Sequence, residues 1–275
     1  MNRVALVGAG GKMGMRCTNN LLHSDYEVDY LEVSGEAIAR LQEKGVEVAD
    51  QDIALARADM VILAVPDIAI RSVSNEIIPR MKPGSMVVCL DPAAPLAGHL
   101  PHREDLAYYV THPAHPSVFN WEPTEKAHFD YYGGIAAKQT VVSAIMHGTN
   151  QDFERGDSLT RTIFSPVTIN HRITVEQMAL LEPGFSETLS STCIKKIRDA
   201  LDVVVAKGVP EAAARDFILG HINIQLAVLF GELPIQFSDA AIKALERAEN
   251  ILFKEGWEDI FEMDNIHEQI KAITE

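Results

Sequence analysis

The sequence predicts an α/β protein: a doubly wound parallel sheet followed by an all-helical C-terminal domain. Three observations carry this reading. Short apolar runs alternate with helical stretches through the first half of the chain, glycines crowd the turn after the first run, and helical periods alone continue beyond about residue 150.

Residues 3–7 form the first apolar strand, followed by the glycines and a helix to about residue 23. A strand at 28–33 and a helix at 36–43 come next. Residues 60–65, MVILAV, are a continuous apolar run, as expected of a strand covered on both faces, and Pro66 ends it. A helix over 68–81 turns at Pro83-Gly84 into MVVCL at 86–90. Further strands are expected at 107–111 and 140–146. The second half then shows helical periods at 175–206, broken at Pro183-Gly184, at 211–230 and at 239–255, with Gly208 and Gly231 just past helix ends. The expected division is a nucleotide-binding domain at 1–150 and a helical substrate and dimerisation domain at 151–275.

Composition narrows the function classes. The chain has 275 residues, 47% hydrophobic and 23% charged, enough for a substantial core and unlike a disordered segment. Its formal net charge of −15 disfavours nucleic acid and anionic lipid, and its densest cationic cluster, Lys195, Lys196 and Arg198, sits inside an amphipathic helix. No apolar run approaches the roughly 20 residues needed to span a bilayer, and the first residues lack a secretory signal, so a cytoplasmic protein is expected. Cys17, Cys89 and Cys193 are widely spaced without a CxxC pair, which argues against disulfides and a cysteine zinc site.

The motif Gly8-Ala9-Gly10-Gly11-Lys12-Met13-Gly14 lies between a strand and a helix. Gly8, Gly11 and Gly14 allow a tight turn and close approach to a pyrophosphate, with the backbone N–H groups of Lys12 and Met13 at the helix N-terminus. Glu32, at the end of the second strand, can accept hydrogen bonds from an adenosine ribose, and no Arg or Lys occurs among residues 33–35 to greet a 2′-phosphate. NAD is therefore expected over NADP, on a Rossmann-type domain. A glycine turn that only packs helix on strand is the competing reading. Pro66 and Asp67 would pass the nicotinamide half, and Asp67 is also a natural N-cap for the following helix.

Two histidines, His112 and His115, each precede a proline at the end of a predicted strand. Proline stiffens both neighbours, which suits a metal ligand or general base and also a merely rigid crossover loop. His171 is expected to open the long helix of the second domain, about 16 Å along its axis from Glu182, too far for the two to share an ion. Glu182, set between two leucines and a proline, calls for a partner such as a metal, a histidine or substrate, unless the helix frays there. His221, Asn223 and Gln225 interrupt an apolar helix and read as structural polar pairs or substrate contacts. A serine hydrolase is unsupported, because no GxSxG elbow is present.

GAGGKMG, the acid ending the second strand, AVPD and the helical second half together resemble the 6-phosphogluconate and β-hydroxyacid dehydrogenase superfamily over nearly the whole chain. Within it, THPAHPSVFN, HRITVEQMALLEP and SETLSSTC resemble the D-apionate oxidoisomerase family. One departure stands out. The β-hydroxyacid enzymes carry a catalytic lysine in a Lys-x-x-Asn motif, whereas here that helix begins HRITVEQ, and histidine or metal chemistry is the natural replacement. The resemblance implies NAD-dependent oxidation of a branched sugar acid, D-apionate, to 3-oxo-isoapionate, with an acyloin-type shift. On this reading His112 is expected as ligand or base, with Glu182 joining it and His115 supporting in catalysis, and His112 and Glu182 on a divalent ion, zinc or magnesium. A homodimer through the helical domain is also implied. The alternatives are a plain dehydrogenase of a small hydroxy acid, a prephenate-dehydrogenase-like enzyme and a non-catalytic NAD sensor.

Overall fold

A computed structural model describes residues 3–275. Seven strands form one sheet in the order β2-β1-β3-β4-β5-β6-β7: β1 Arg3–Val7, β2 Glu27–Leu31, β3 Met60–Leu63, β4 Met86–Cys89, β5 Ala107–Pro113, β6 Gln139–His147 and β7 Val167–Arg172. The first five are parallel. The exception is β6, which runs antiparallel to β5, and β7 runs parallel to β6.

Alternation along the strands sorts the core into two layers. Ala5, Val7, Val61, Leu63, Val87 and Cys89 face one side, while Val4, Leu6, Met60, Ile62, Met86 and Val88 face the other. The first side is covered by α3 Gln51–Arg57, α4 Asp67–Ile77, α5 Ala93–Leu96 and α8 Val175–Ala179. The second is covered by α1 Lys12–Leu21, α2 Gly35–Gln42 and α7 Asn150–Ile163. A short α6, Glu125–His128, lies in the β5–β6 connection. Both faces are therefore buried, which is why β3 and β4 read as unbroken apolar runs.

The chain divides into two compact units, one running to Pro183 together with His267–Glu275, the other Gly184–Ile266. The expected boundary near residue 151 thus moves some thirty residues on. The reason is packing: Phe153, Leu159 and Ile163 of α7 join the sheet's core, and β7 extends the sheet. The second half is accordingly not all helical. His171 belongs to β7, opposite Val142, instead of opening a helix, which starts at Val175 behind a capping box formed by Thr174 and Gln177. Nor does the helix break at Pro183. It continues as a wide-turned π-helix over Leu180–Ser191, with Pro183 inside it.

The second unit holds α9 Thr192–Ala206, α10 Glu211–Leu229 and α11 Asp239–Leu252, and the final helix α12, Met263–Thr274, crosses into the first. Among these three helices only Ala214 is buried. Phe217, Leu229 and Phe230 are each about two-thirds exposed. Among the described residues no helix is long and apolar enough to cross a membrane.

Candidate active site

The carboxyl ends of the parallel strands carry every group of the site except Glu182, which a helix supplies. Gly8 follows β1 and donates its N–H to Leu31 O at 2.9 Å, and Gly11 N–H reaches back to Gly8 O at 3.1 Å. A Cβ on Gly14 would lie 1.9 Å from the Gly8 carbonyl oxygen, so only glycine lets α1 start this close to β1. No side chain caps α1, leaving its first N–H groups for an anion. Glu32, directly after β2, accepts from Gly10 N at 3.0 Å, Val33 N at 2.8 Å and Ser34 N at 3.0 Å. The carboxylate is thereby fixed at the edge of the glycine turn, with lone-pair capacity remaining for a ribose diol.

Gly11, Lys12, Met13, Pro66 and Asp67 line one cavity of about 290 Å³, and Asp91 and His112 line the same cavity. Asp67 does not cap α4: Pro66 holds the cap position and Asp67 is the first helical residue, with no side-chain cap bond. Its carboxyl is pushed above the usual range by burial, against the pull of the His112 charge.

His112 is the pivot. Extension of β5 to Pro113 places it on the strand, not in a loop after it. Its Nδ1 lies 2.9 Å from Leu90 O and 3.6 Å from Asp91 Oδ2, while Nε2 faces Glu182 Oε1 at 3.4 Å. Asp91 stands just past β4, held by a 2.7 Å bond from Ala93 N, and Glu182 comes from the wide helical turn. One donor atom from each of Asp91, His112 and Glu182 lies within 4.8 Å of the other two. Burial alone would lower the imidazole, but the hydrogen bond and charge of Glu182, helped by Asp91, raise it to about 9. Burial raises Asp91 to about 6 in spite of His112. Burial acts in the same sense on Glu182, yet its bond to His112 leaves it below the ordinary value.

One nitrogen and two carboxylate oxygens, with Nδ1 engaged by a backbone carbonyl, match the donor chemistry of a divalent cation site. A second trio, His102, Glu104 and His147, sits at the amino end of β5; it is largely exposed, with His102 already paired to Glu104 at 2.8 Å.

His115 lies beside this group, its ring 6.3 Å from that of His112. It is not extended: its φ of +61° is left-handed, and Nδ1 lies 2.8 Å from Tyr132 O. His221 sits on exposed α10, bonded to Phe217 O within its own helix and stacked on the Phe217 ring. Lys195 and Lys196 pair with Asp199 on α9. Sequence reasoning missed Asp91, although an acid ending an apolar strand is the signal that revealed Glu32. It also missed Asp130 and Tyr132, whose loop gives no local sign of what it touches.

The fold and this rim of strand ends define an NAD-dependent oxidoreductase. Residues 3–95 match the NAD binding domain of 6-phosphogluconate dehydrogenase, and residues 120–274 match the phosphogluconate dehydrogenase (decarboxylating) C-terminal domain. The D-apionate oxidoisomerase of Cupriavidus necator is 48% identical, over 99% of both chains, and that of Rhizobium rhizogenes is 48% identical over the full length of both. A crystal structure of a semialdehyde dehydrogenase NAD-binding protein from Cupriavidus necator, in complex with calcium and NAD, superposes with a TM-score of 0.98 at 48% identity, covering 100% of each chain. The chain belongs to the D-apionate oxidoisomerase family.

Proposed function

We propose that this enzyme oxidises D-apionate with NAD and rearranges the product to 3-oxo-isoapionate. The observation that carries the reading is that His112 and Asp91 line the dinucleotide cavity and that His112 also meets Glu182. Hydride transfer and proton chemistry can therefore act on one small substrate. Hydride leaves carbon 2 for the nicotinamide and the carbon 2 hydroxyl proton passes to solvent water, giving a ketone beside the tertiary alcohol at carbon 3. The alcohol proton passes to His115 Nε2, the nitrogen opposite the one bonded to Tyr132. The carbon 3 to hydroxymethyl bond breaks as the hydroxymethyl group migrates with its electron pair to carbon 2. The carbon 2 oxygen takes that proton back from His115 Nε2, and carbon 3 becomes the ketone.

Asp91, His112 and Glu182 are the residues that would hold a divalent cation, and such an ion supplies polarisation of the carbonyl and acidification of the neighbouring alcohol. The imidazole in the set favours zinc over magnesium. NAD is held at Gly8, Gly11, Gly14 and Glu32, with Lys12, Met13, Pro66 and Asp67 along the cavity.

The second unit supports a homodimer. Two apolar grooves, one between α9 and α10 and one beside α11, leave Ile197, Phe217, Leu245 and Leu252 uncovered, and exposed apolar patches of this kind mark interaction surfaces. A second copy is the covering we infer. Three unpaired cysteines fit a reducing, cytoplasmic setting.

The test is absorbance at 340 nm with NAD and D-apionate, with and without EDTA, and the product identified by NMR. NADH formation, lost in EDTA, with a branched 3-oxo acid as product supports the whole reading. An unrearranged keto acid would leave a plain dehydrogenase, and undiminished activity in EDTA would remove the metal.

A further inference from the structure

His115 owes its setting to a loop that the catalytic reading leaves unexplained. Asp130 is buried, yet among the described residues it forms no salt bridge. Its carboxylate instead accepts four backbone N–H groups: Gly133 at 3.1 Å on one oxygen, and Ile135, Ala136 and Ala137 at 3.0, 2.9 and 3.1 Å on the other. Four donors converging on one buried carboxylate fix the backbone of residues 130–137 far more tightly than turn chemistry requires. Gly133 adds to this: its φ is +78°, and a Cβ there would meet the Gln139 side chain at 2.5 Å.

What that loop presents is Tyr132. Its carbonyl accepts from His115 Nδ1 at 2.8 Å and from an Arg16 guanidinium N–H at 3.3 Å. Its ring lies 4.7 Å from the His115 ring, and the Arg16 guanidinium covers it at 3.4 Å. The His115 backbone is left-handed and is followed by Pro116, a conformation that needs outside support. The loop supplies it, gripping the imidazole by an edge and a face.

We propose that Asp130 is a positioning residue for His115. By ordering the 130–137 loop, it holds the Tyr132 carbonyl against Nδ1, which must then carry the hydrogen. Nε2 is left as the bare nitrogen, ready to accept a proton. A carbonyl can only accept, so the opposite tautomer would set two lone pairs against each other. Asp130 touches no reacting atom and acts through the backbone alone. The inference rests on the reading of His115 as the base.

The experiment uses the full-length protein with NAD bound and its histidines labelled with nitrogen-15. Long-range proton–nitrogen spectra identify the His115 nitrogens by their loss in His115→Asn. Wild-type His115 should be protonated at Nδ1 and bare at Nε2. Asp130→Asn, which turns a donor toward the loop N–H groups, should mix the tautomers and lower kcat about 10- to 100-fold, the usual cost of losing such a supporting contact, with KM for NAD nearly unchanged. Tyr132→Ala keeps the carbonyl and should keep the tautomer. A folded Asp130→Asn with wild-type kcat overturns the inference. The wild-type spectrum decides the matter even if Asp130→Asn does not fold: protonation at Nε2 overturns it, alone, if His115→Asn is inactive. Full activity in His115→Asn removes the base reading and this inference together.

Discussion

Glu182→Gln, studied in the presence of a chelator, reads the charge balance of the site directly. Burial pulls the His112 imidazole down, and the Glu182 hydrogen bond and charge, with Asp91 behind them, hold it up at about 9 against an ordinary value of 6.5. A histidine raised on folding contributes stability that is fully present below its unfolded value and is lost as pH rises through the folded one. The gap between 6.5 and about 9, at about 1.4 kcal/mol per pH unit, is worth about 3 kcal/mol. Metal-free wild type should therefore lose about 3 kcal/mol between pH 6.5 and pH 9.5 from this group. In Glu182→Gln the main support is gone, burial prevails, and most of that loss disappears. Urea unfolding followed by circular dichroism at pH 6.5, 8 and 9.5 measures the difference between the two proteins, cancelling other groups that titrate in both. Parallel stability curves would refute the argument, because they would mean that Glu182 does not hold the proton on His112.

Three shorter predictions follow from the same geometry. Gly14→Ala drives a methyl into the Gly8 carbonyl and should weaken NAD binding by up to about 100-fold in calorimetry, the equivalent of about 3 kcal/mol of overpacking; affinity within twofold of wild type would contradict the glycine argument. His112→Ala should abolish turnover while leaving NAD affinity within about threefold, since the histidine meets the cavity only at its chemical end; retained turnover would displace it from the mechanism. Phe217→Asp places a charge on the uncovered face of α10 and should halve the mass measured by light scattering, whereas a wild-type protein already monomeric at micromolar concentration would remove the dimer.

Legibility in the sequence followed the range of the interactions. The glycine turn, Glu32 and the apolar runs of β3 and β4 could be read directly, because strand, turn and helix are adjacent in the chain and both sheet faces are buried. Glu182 could be picked out as a misfit, a carboxylate among leucines, although its partner His112 lies seventy residues away. β7 escaped because it is an edge strand whose residues are mostly exposed, so Thr168, Asn170 and Arg172 dilute the apolar alternation. The boundary moved for the same reason, since the polar surface of α7 hides the stripe of Phe153, Leu159 and Ile163 that anchors it. Asp130 could not be read at all. Its four partners are backbone N–H groups, which every sequence supplies.

The reversal of β6 and β7 has a consequence for how the second carboxylate, Glu182, arrives. Had the last strands run parallel to the first five, the helix leaving β7 would begin at the rim beside His112 and carry its side chains away from it. Because they run the other way, Arg172 ends level with Thr111, below the rim, and the chain must climb back. Val175–Ala179 climbs about 6 Å at α-helical rise, and the first residues of the wide-turned helix carry the chain on to Glu182. The length of this ascending segment is thus a ruler set by sheet topology: shortened or lengthened by a turn, it would deliver Glu182 beneath or beyond the imidazole it now meets.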